Sequence, residues 1–513
     1  MSDTTMAPQQ GDEWFGHPKG LFYCFFAEMW ERFCFYGMRN ILVLYMISYL
    51  AYEKDYAQAG PYAAYTSLIY CVAIFGGFVA DKYLGYHKSI MMGGFLMAAG
   101  MIMLLFNRDI TSWIGMDMST GVEEFFFYAG LATVIVGNGY FKPNISTIVG
   151  KLYPEGDPRR DGGFTIFYMG INVGALLGGF VCAEIGERVS WTLGFGIAAL
   201  GMLLGVFTFG THKAKLSMKG HGDPASPEAA KRSFPWIFAA SIGLIPVFYY
   251  LLQNSQIVGY LLGITGVVMV GMMLNVAFKE SKKQREMIFA LLVLVAFNPI
   301  FWAMFEQAGS SLTLYAAEHL NRSVFGMFEL AAGSVQQFNA LFIIGLAPVF
   351  AAMWIKLGKK GKDPSIPMKF TLGLFQLGLG FLLLVIGAQF FTAADGKTPL
   401  VFMAGLYLLL TMGELCLSPV GLSMVTKLAP QRMTGMVMGL WFLSIAAANF
   451  LAGQIGALTG AEGGAEAAAT MSPTEKIGTY TDIYMMSFWV IMGATLFLLC
   501  LVPLLKKWTH GVK

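Results

Sequence analysis

The sequence predicts an all-α protein that crosses a membrane many times. Three observations lead to this fold class. Hydrophobic residues make up 56% of the 513 residues and charged residues only 13%, whereas a soluble domain carries about 25% charged residues. The mean hydropathy is +0.60. Apolar runs that reach the length of about 20 residues needed to cross a bilayer recur along the whole chain.

The apolar runs predict fourteen membrane-spanning helices. Their approximate bounds are 21–50, 62–81, 88–107, 122–150, 163–184, 189–210, 235–252, 256–278, 287–308, 334–356, 368–391, 399–427, 433–458 and 482–505. The 61 glycines suit close packing between helices in lipid. All six histidines lie outside these predicted spans.

Lysine and arginine are distributed unevenly between successive loops. Loops such as 211–234 and 279–286 carry several basic residues, whereas alternate loops carry about one each, such as Lys54 and Arg108. Because positive loops stay in the cytoplasm, both termini are predicted to be cytoplasmic, including the N-terminal segment 1–20 and the tail 506–513. The first twenty residues lack the pattern of a cleaved signal peptide, so we expect the first span to be retained.

The polar, basic stretch 211–234 reads as a cytoplasmic linker that separates six spans from eight. We interpret the next two spans as an inserted hairpin, so that 211–286 holds linker and hairpin. The remaining spans form six-helix bundles at 21–210 and 287–505, as expected for a transporter built from two repeats. The hairpin spans carry almost no charge, and we expect them to pack towards lipid without a direct role in transport.

Four charged residues interrupt the first span. Glu28, Arg32 and Arg39 fall on one helical face together with Phe35, and Glu31 lies beside that face. A charge at the centre of a spanning helix costs about 2.5–3.5 kcal/mol on insertion scales. These side chains must therefore face other helices or a watery cavity. They are either ion pairs that only lock helices together or, as we favour, a site for protons and substrate.

Other polar and aromatic residues inside the spans are candidates for the same site. Lys142 precedes Pro143, which removes a backbone hydrogen bond and is expected to free backbone groups for solvent or ligand. The C-terminal half contributes acids and no buried base, so a cavity between the halves would be positive on one wall and negative on the other. A zwitterion such as a short peptide fits such a cavity. The remaining candidates are Tyr36, Tyr70, Asn172, Trp302, Glu306, Asn339, Glu414 and Trp441.

The loop after the second span has a recognisable pattern. Gly77, Asp81 and Gly85 match the Gly-x-x-x-Asp-x-x-x-Gly loop that resembles the cytoplasmic gate of the major facilitator superfamily. His87 stands where that pattern usually has a strong base. We therefore expect Asp81 and nearby basic residues to form a gate.

The charged stretch itself resembles a family signature. Glu28-x-x-Glu31-Arg32-Phe33-x-Phe35-Tyr36-Gly37 is similar to the ExxERFxYY motif of the proton-coupled oligopeptide transporter (POT) family, a branch of the major facilitator superfamily. Three further stretches, around Lys142, Asn172 and Glu306, look like other signatures of that family. The resemblance covers nearly the whole chain and implies uptake of di- and tripeptides driven by inward proton flow.

The resemblance also implies roles for individual residues. Glu28 and Glu31, with Arg32 and Lys142, would couple protonation to binding of the peptide carboxylate. The peptide amino end would be held by Asn172, Asn339 and Glu414, and side-chain pockets would be lined by Tyr36, Tyr70, Trp302 and Trp441. Arg39 and Glu306 would form an extracellular gate that protonation of Glu306 releases. Phe35 departs from the motif, which has tyrosine there, so one hydrogen bond to substrate is missing.

Several alternatives and partners follow from these considerations. Within transport, the alternatives are another small organic anion or nitrate, or proton-driven export of drugs. A non-transporting peptide sensor is a third possibility, and an enzyme is disfavoured because no nucleophile–base pair or metal-ligand spacing occurs in the spans. We expect protons as the coupling ion, no other cofactor, no metal, no nucleic-acid partner, and a monomer in the inner-membrane bilayer of a bacterium.

Overall fold

The computed structural model describes residues 13–115, 117–212, 216, 227–460 and 472–512, and most of these residues are helical. Residues 1–12 of the predicted N-terminal segment and residue 513 of the predicted tail lie outside this range. Most of the predicted linker does too, namely residues 213–215 and 217–226.

Fourteen long helices follow one another in the described residues, and we number them in chain order. They are Lys19–Ser48, Lys54–Leu84, Tyr86–Met103, Thr120–Lys151, Arg160–Arg188, Trp191–Thr211, Pro227–Gln253, Ser255–Lys279, Lys282–His319, Gly333–Lys359, Ile366–Phe390, Leu400–Leu428, Gln431–Ala457 and Pro473–Trp508. Twelve of them are long and apolar enough to cross a membrane; the first helix, with its internal charges, and the third, with its polar start, are the other two. The predicted all-α, multi-span fold is confirmed.

Four of these helices are irregular, and one of them, the thirteenth, begins with the 3₁₀ turn Gln431–Met433. The second contains π-helical turns at Gln58–Tyr62 and Ala80–Leu84. The ninth is α-helical to Phe305, then forms a 3₁₀ turn at Glu306–Gly309 and resumes as Ser311–His319. The tenth begins with the 3₁₀ turn Gly333–Gln336.

Within the described residues, the connections add one short helix, Arg108–Trp113, and three two-residue strand pairs. Glu13–Trp14 pairs antiparallel with His17–Pro18, and Ser323–Val324 with Phe328–Glu329. Leu320–Asn321 runs parallel to Thr398–Pro399.

Two histidines are not where the sequence placed them. The third helix begins at Tyr86, directly after Gly85 with its φ of +74°, so His87 lies in its first turn. His319 ends the resumed part of the ninth helix. The prediction that all histidines lie outside the spans was therefore wrong for His319, because the ninth helix resumes after its break and carries the span to that residue.

Contacts group the chain into two compact units. The first comprises Met1–Met38, Val72–Gly186 and Ser190–Tyr249, and the second comprises Arg39–Cys71, Glu187–Val189 and Tyr250–Lys513. This grouping by contact cuts across the predicted segments 21–210 and 211–286, whereas 287–505 lies wholly within the second unit. It divides the first helix after Met38 and assigns the two hairpin helices to different units.

Glycines bring the third and fourth helices together in the first unit. A methyl group on Gly93 would lie 2.5 Å from the Gly137 carbonyl oxygen, and one on Gly137 would lie 2.6 Å from that of Gly93. Two turns away, Gly100 and Gly130 repeat this reciprocal contact at 2.6 and 2.8 Å. The two backbones therefore touch along one glycine stripe, the type of contact that stabilises helix pairs in lipid.

A second stripe lies where the fifth helix packs on the charged part of the first. Gly174 faces the Met29 carbonyl oxygen and Gly178 that of Phe33, so that added methyl groups would lie 2.1 and 2.2 Å from those oxygens. The fifth helix thus covers the backbone of the stretch that carries Glu28, Glu31 and Arg32.

The fourth helix continues through Pro143. Proline has no N–H, so the Gly139 carbonyl loses its usual helical donor. We expected this group to be open to solvent or ligand. The structure instead packs the Gly139 carbonyl oxygen against Gly76 of the second helix, where a methyl group would lie only 1.8 Å away.

The tightness of the second stripe gives a stability prediction. Gly178→Ala forces its methyl group into the Phe33 backbone, so it should lower stability by about 1–3 kcal/mol, the usual cost of overpacking. Gly243→Ala is the matched control, because nothing lies within 4 Å of its added methyl group. Thermal unfolding in detergent measures both variants. Equal melting temperatures for Gly178→Ala and wild type would refute the contact.

Candidate functional site

The first unit contains a buried ionic triad on the first helix. Arg32 Nε lies 3.0 Å from Glu28 Oε1 and 2.5 Å from Glu31 Oε2. Glu28, Glu31 and Arg32 are 3%, 0% and 5% exposed, so water screens these charges little. Removing one partner of such a buried set leaves an uncompensated charge, which is costly.

The fourth helix completes this network. Asn138 Nδ2 donates a hydrogen bond to Glu31 Oε1 at 3.1 Å. Lys142, one helical turn further on, interacts electrostatically with both Glu28 and Glu31. Sequence reasoning chose Lys142 and missed Asn138, although the spacing of four residues places both on one face.

This arrangement has a chemical consequence. Two carboxylates, one guanidinium and one ammonium balance when all four are charged. Adding a proton to Glu28 or Glu31, or bringing in a carboxylate ligand, disturbs that balance, and doing both restores it. The network can therefore exchange a bound anion together with a proton.

Phe35 and Tyr36 follow the triad along the first helix. Asn172 lies on the fifth helix, which packs against the first. The Arg32 guanidinium carbon lies 5.5 Å from the centre of the Phe35 ring, so the residue that departs from the family motif contacts the cation through its aromatic face. Tyr36 is half-buried. Asn172 is buried, and its amide donates to the Tyr168 carbonyl of the preceding turn at 3.0 Å.

The second unit contains a separate ion pair. The Arg39 guanidinium contacts the Glu306 carboxylate directly, and both side chains are more than 90% buried. Arg39 Nε also donates to the Tyr62 hydroxyl at 3.2 Å. The structure thus pairs the two residues that the family resemblance implies as a gate. Tyr62 was missed, because its position in the π-helical turn of the second helix has no signal in the sequence.

Glu306 starts the break in the ninth helix, and Gln307 holds that break in place. Gln307 Nε2 donates to the Ala303 carbonyl at 3.2 Å and to the Ala452 carbonyl of the thirteenth helix at 3.0 Å. Its side-chain oxygen accepts from the Ser311 hydroxyl at 2.6 Å. The Gln307 side chain therefore bonds to residues on both sides of the break and to the thirteenth helix.

Asn339 and Glu414 meet in the second unit, as the tenth and twelfth helices pack together. Asn339 Nδ2 lies 3.1 Å from Glu414 Oε2 and 3.0 Å from the Thr411 hydroxyl oxygen. Thr411 donates its own proton to the Tyr407 carbonyl, so it accepts from Asn339. The amide thereby fixes one oxygen of the Glu414 carboxylate.

The predicted aromatic residues have different surroundings. Trp302 packs against Phe301 and Phe305, with ring centres 5.4 and 5.1 Å away. Trp441 is 3% exposed and lies edge-on to the Phe370 ring. Tyr70 is half-buried on the second helix.

The predicted gate loop closes the second helix. Gly85 ends it with a φ of +74°, a conformation that favours glycine. Asp81 accepts a hydrogen bond from Tyr86 at 2.7 Å, and the Lys151 ammonium lies 4.5 Å from the centre of the Tyr86 ring. Gly77 faces Pro143 of the fourth helix at 3.7 Å.

The ring of His87 packs against the sixth helix. Its ring stacks on Phe209, with the centres 5.1 Å apart. Lys151 is a base that contacts Tyr86, the hydrogen-bond donor to Asp81. Across the described residues, no group of three or more His, Cys, Asp or Glu side chains is placed to hold a metal ion.

Comparison with known proteins identifies the family. A family model described as "POT family" matches residues 87–470. The chain belongs to the POT family. The resemblance noted in the charged stretch is therefore confirmed, and this POT-family chain is a multi-pass membrane transporter.

Individual relatives cover nearly all of this POT-family chain. The "uncharacterized transporter YclF" of Bacillus subtilis is 38% identical over 465 residues, covering 88% of this chain and 89% of the relative. "Dipeptide and tripeptide permease B" of Xenorhabdus bovienii is 32% identical over 495 residues, covering 96% of each. A crystal structure of a mutant of the peptide transporter POT with alafosfalin has a TM-score of 0.78 and 35% identity, covering 97% of each chain.

The triad gives a second stability prediction. Arg32→Ala should destabilise the protein by about 3–5 kcal/mol, because it leaves two buried carboxylates without their nearest cation. Adding Glu31→Gln to this variant should recover part of the loss. The control is Arg432→Ala, which removes a 68%-exposed side chain from its pair with Glu280 and should cost about 1 kcal/mol or less. Melting temperatures in detergent measure these differences, and an Arg32→Ala variant as stable as Arg432→Ala would show that the triad does not stabilise the protein.

Proposed function

We propose that this protein is a proton-coupled symporter that imports di- and tripeptides by alternating access. The observation that carries the proposal is the buried ionic network of the first helix, on a chain that matches a dipeptide and tripeptide permease over 96% of its length. A network whose charges stay balanced only if a proton and an anion arrive together suits coupled transport. The protein moves its substrate unchanged and is not an enzyme.

The substrate contacts follow from the charges. Arg32 and Lys142 bind the peptide carboxylate, since they are cations that already face carboxylates inside the protein. Glu414, oriented by Asn339, binds the peptide ammonium together with Asn172. Tyr36, Tyr70, Trp302 and Trp441 accept variable side chains through apolar surfaces.

The proton acts on two carboxylate groups in turn. A proton on Glu306 removes the charge that holds Arg39, and Tyr62 then remains as the hydrogen-bond partner of the arginine. A proton on Glu28 or Glu31 frees Arg32 for the incoming peptide carboxylate. Protonation and peptide binding each offset the buried net charge that the other introduces, so the flow of protons and the flow of peptide are linked.

The setting of the transporter is part of the proposal. The loop distribution of lysine and arginine supports cytoplasmic termini in a bacterial inner membrane. Protons are the coupling ion, with no other cofactor, and the monomer is the functional unit. Asp81 and Lys151 act at the cytoplasmic gate.

The direct test is uptake into proteoliposomes. With an inward proton gradient, a labelled dipeptide should accumulate, and a protonophore should abolish the accumulation. Unlabelled di- and tripeptides should compete, whereas the N-acetylated dipeptide, nitrate and acetate should compete poorly. Uptake that ignores the protonophore, or that nitrate inhibits as strongly as peptide does, would overturn the proposal.

Glu306 gives the sharper test of coupling. Glu306→Gln mimics the protonated state permanently and cannot release a proton, so gradient-driven uptake should be lost. Exchange of internal for external dipeptide, which needs no net proton movement, should persist. Glu228→Gln, which alters an exposed carboxylate, is the control and should behave as wild type. Unchanged gradient-driven uptake by Glu306→Gln would exclude Glu306 as a coupling residue.

A further inference from the structure

The seventh helix, the first of the inserted hairpin, buries one narrow face. Ile237, Ser241, Ile245 and Phe248 recur at helical spacing and are its less exposed residues between 234 and 248, while the neighbours between them are exposed. The three apolar members of this set pack on a cluster formed by Leu84, Met92, Leu96, Val136 and Tyr140. The helix is therefore held against the second, third and fourth helices through a defined contact.

One polar bond lies inside this apolar contact. Ser241 is 0% exposed, and its hydroxyl oxygen lies 2.9 Å from the Tyr140 hydroxyl. Ser241 also bonds to the Ile237 carbonyl at 2.7 Å, and this bond uses its single proton. Tyr140 must therefore be the donor and Ser241 the acceptor of the bond between the helices.

Tyr140 lies in the fourth helix midway between the two residues of that helix that interact with the ionic network. Asn138, two residues before it, bonds to Glu31, and Lys142, two residues after it, interacts with Glu28 and Glu31. The helix lacks the bond from residue 143 to the Gly139 carbonyl, because residue 143 is proline. A segment with a missing backbone bond is easier to rotate, so an anchor at Tyr140 fixes the direction in which Asn138 and Lys142 point.

We propose that Tyr140 and Ser241 are positioning residues, through which the inserted hairpin sets the geometry of Lys142 and Asn138 around the carboxylates of the first helix. This inference rests on the proposed function and revises the expectation that the hairpin has no role in transport. The hairpin acts through the fourth helix and does not touch the substrate.

Because Tyr140 donates this hydrogen bond and Ser241 accepts it, the two single variants should differ in how much they disturb the protein. Tyr140→Phe removes the donor and leaves the Ser241 hydroxyl bonded to Ile237. Ser241→Ala removes the acceptor and leaves a buried Tyr140 hydroxyl without its partner, which is the more costly defect. The double variant has no such orphan group, so it should resemble Tyr140→Phe.

The experiment measures dipeptide uptake against pH in proteoliposomes, with melting temperatures in parallel. Tyr140→Phe should raise KM about two- to tenfold, the factor that one net hydrogen bond represents, and should displace the pH profile. Ser241→Ala should have the larger effect, and the double variant should return to the level of Tyr140→Phe. Tyr250→Phe, which alters a 55%-exposed tyrosine of the same helix, is the matched control and should match wild type.

Three results would overturn the inference. Lowered melting temperatures with unchanged KM and pH profile would make the bond purely structural. A double variant worse than either single variant, or kinetics of Tyr140→Phe and Ser241→Ala equal to wild type, would exclude the coupling described. Absence of dipeptide uptake by the wild-type protein would instead mean that the proposed function itself is wrong, so the two failures are distinguishable.

Discussion

A guanidinium held between two carboxylates inside an apolar helix constrains the rest of the first unit. Lipid cannot accommodate Glu28, Glu31 and Arg32, so neighbouring helices must cover them and must supply further partners. The fourth helix supplies Asn138 and Lys142. The charges that make this stretch costly to bury also make it useful, because a set of charges with no net excess responds to the arrival of one proton or one anion.

Glycine is the means by which helices come close enough to serve this network. The fifth helix lays its glycine stripe against the backbone of the charged stretch, and the third and fourth helices touch along a stripe of their own. In lipid such contacts, rather than hydrophobic burial, hold helices together. The same principle places the Gly139 carbonyl, which Pro143 deprives of its donor, against Gly76. Near Pro143 the fourth helix therefore packs against the second helix, and at Tyr140 it is hydrogen-bonded to the seventh helix.

The spans were predictable, because a bilayer demands runs of about 20 apolar residues and the sequence contains them. The candidate charges were predictable for the opposite reason, since ionisable residues inside such runs are abnormal. The partners were not predictable from the residues alone. Asn138 lies 107 residues from Glu31 and Glu306 lies 267 residues from Arg39, so their meeting depends on how each helix is rotated about its axis. Tyr62 and Ser241 look ordinary in the sequence, and their roles emerge only from the packing. Pro143 gives the clearest example. The sequence predicted that a backbone carbonyl would lack its donor there, but it did not predict that a neighbouring helix would pack against that carbonyl.

The central claim is that ligand and proton exchange through one balanced set of buried charges. Calorimetric titration of the purified protein with a dipeptide, in two buffers that have different ionisation enthalpies, measures the protons taken up on binding. The account predicts that the observed heat differs between the buffers, with net uptake of protons as the peptide binds. Heat that is the same in both buffers, at a pH where the peptide does bind, would contradict it.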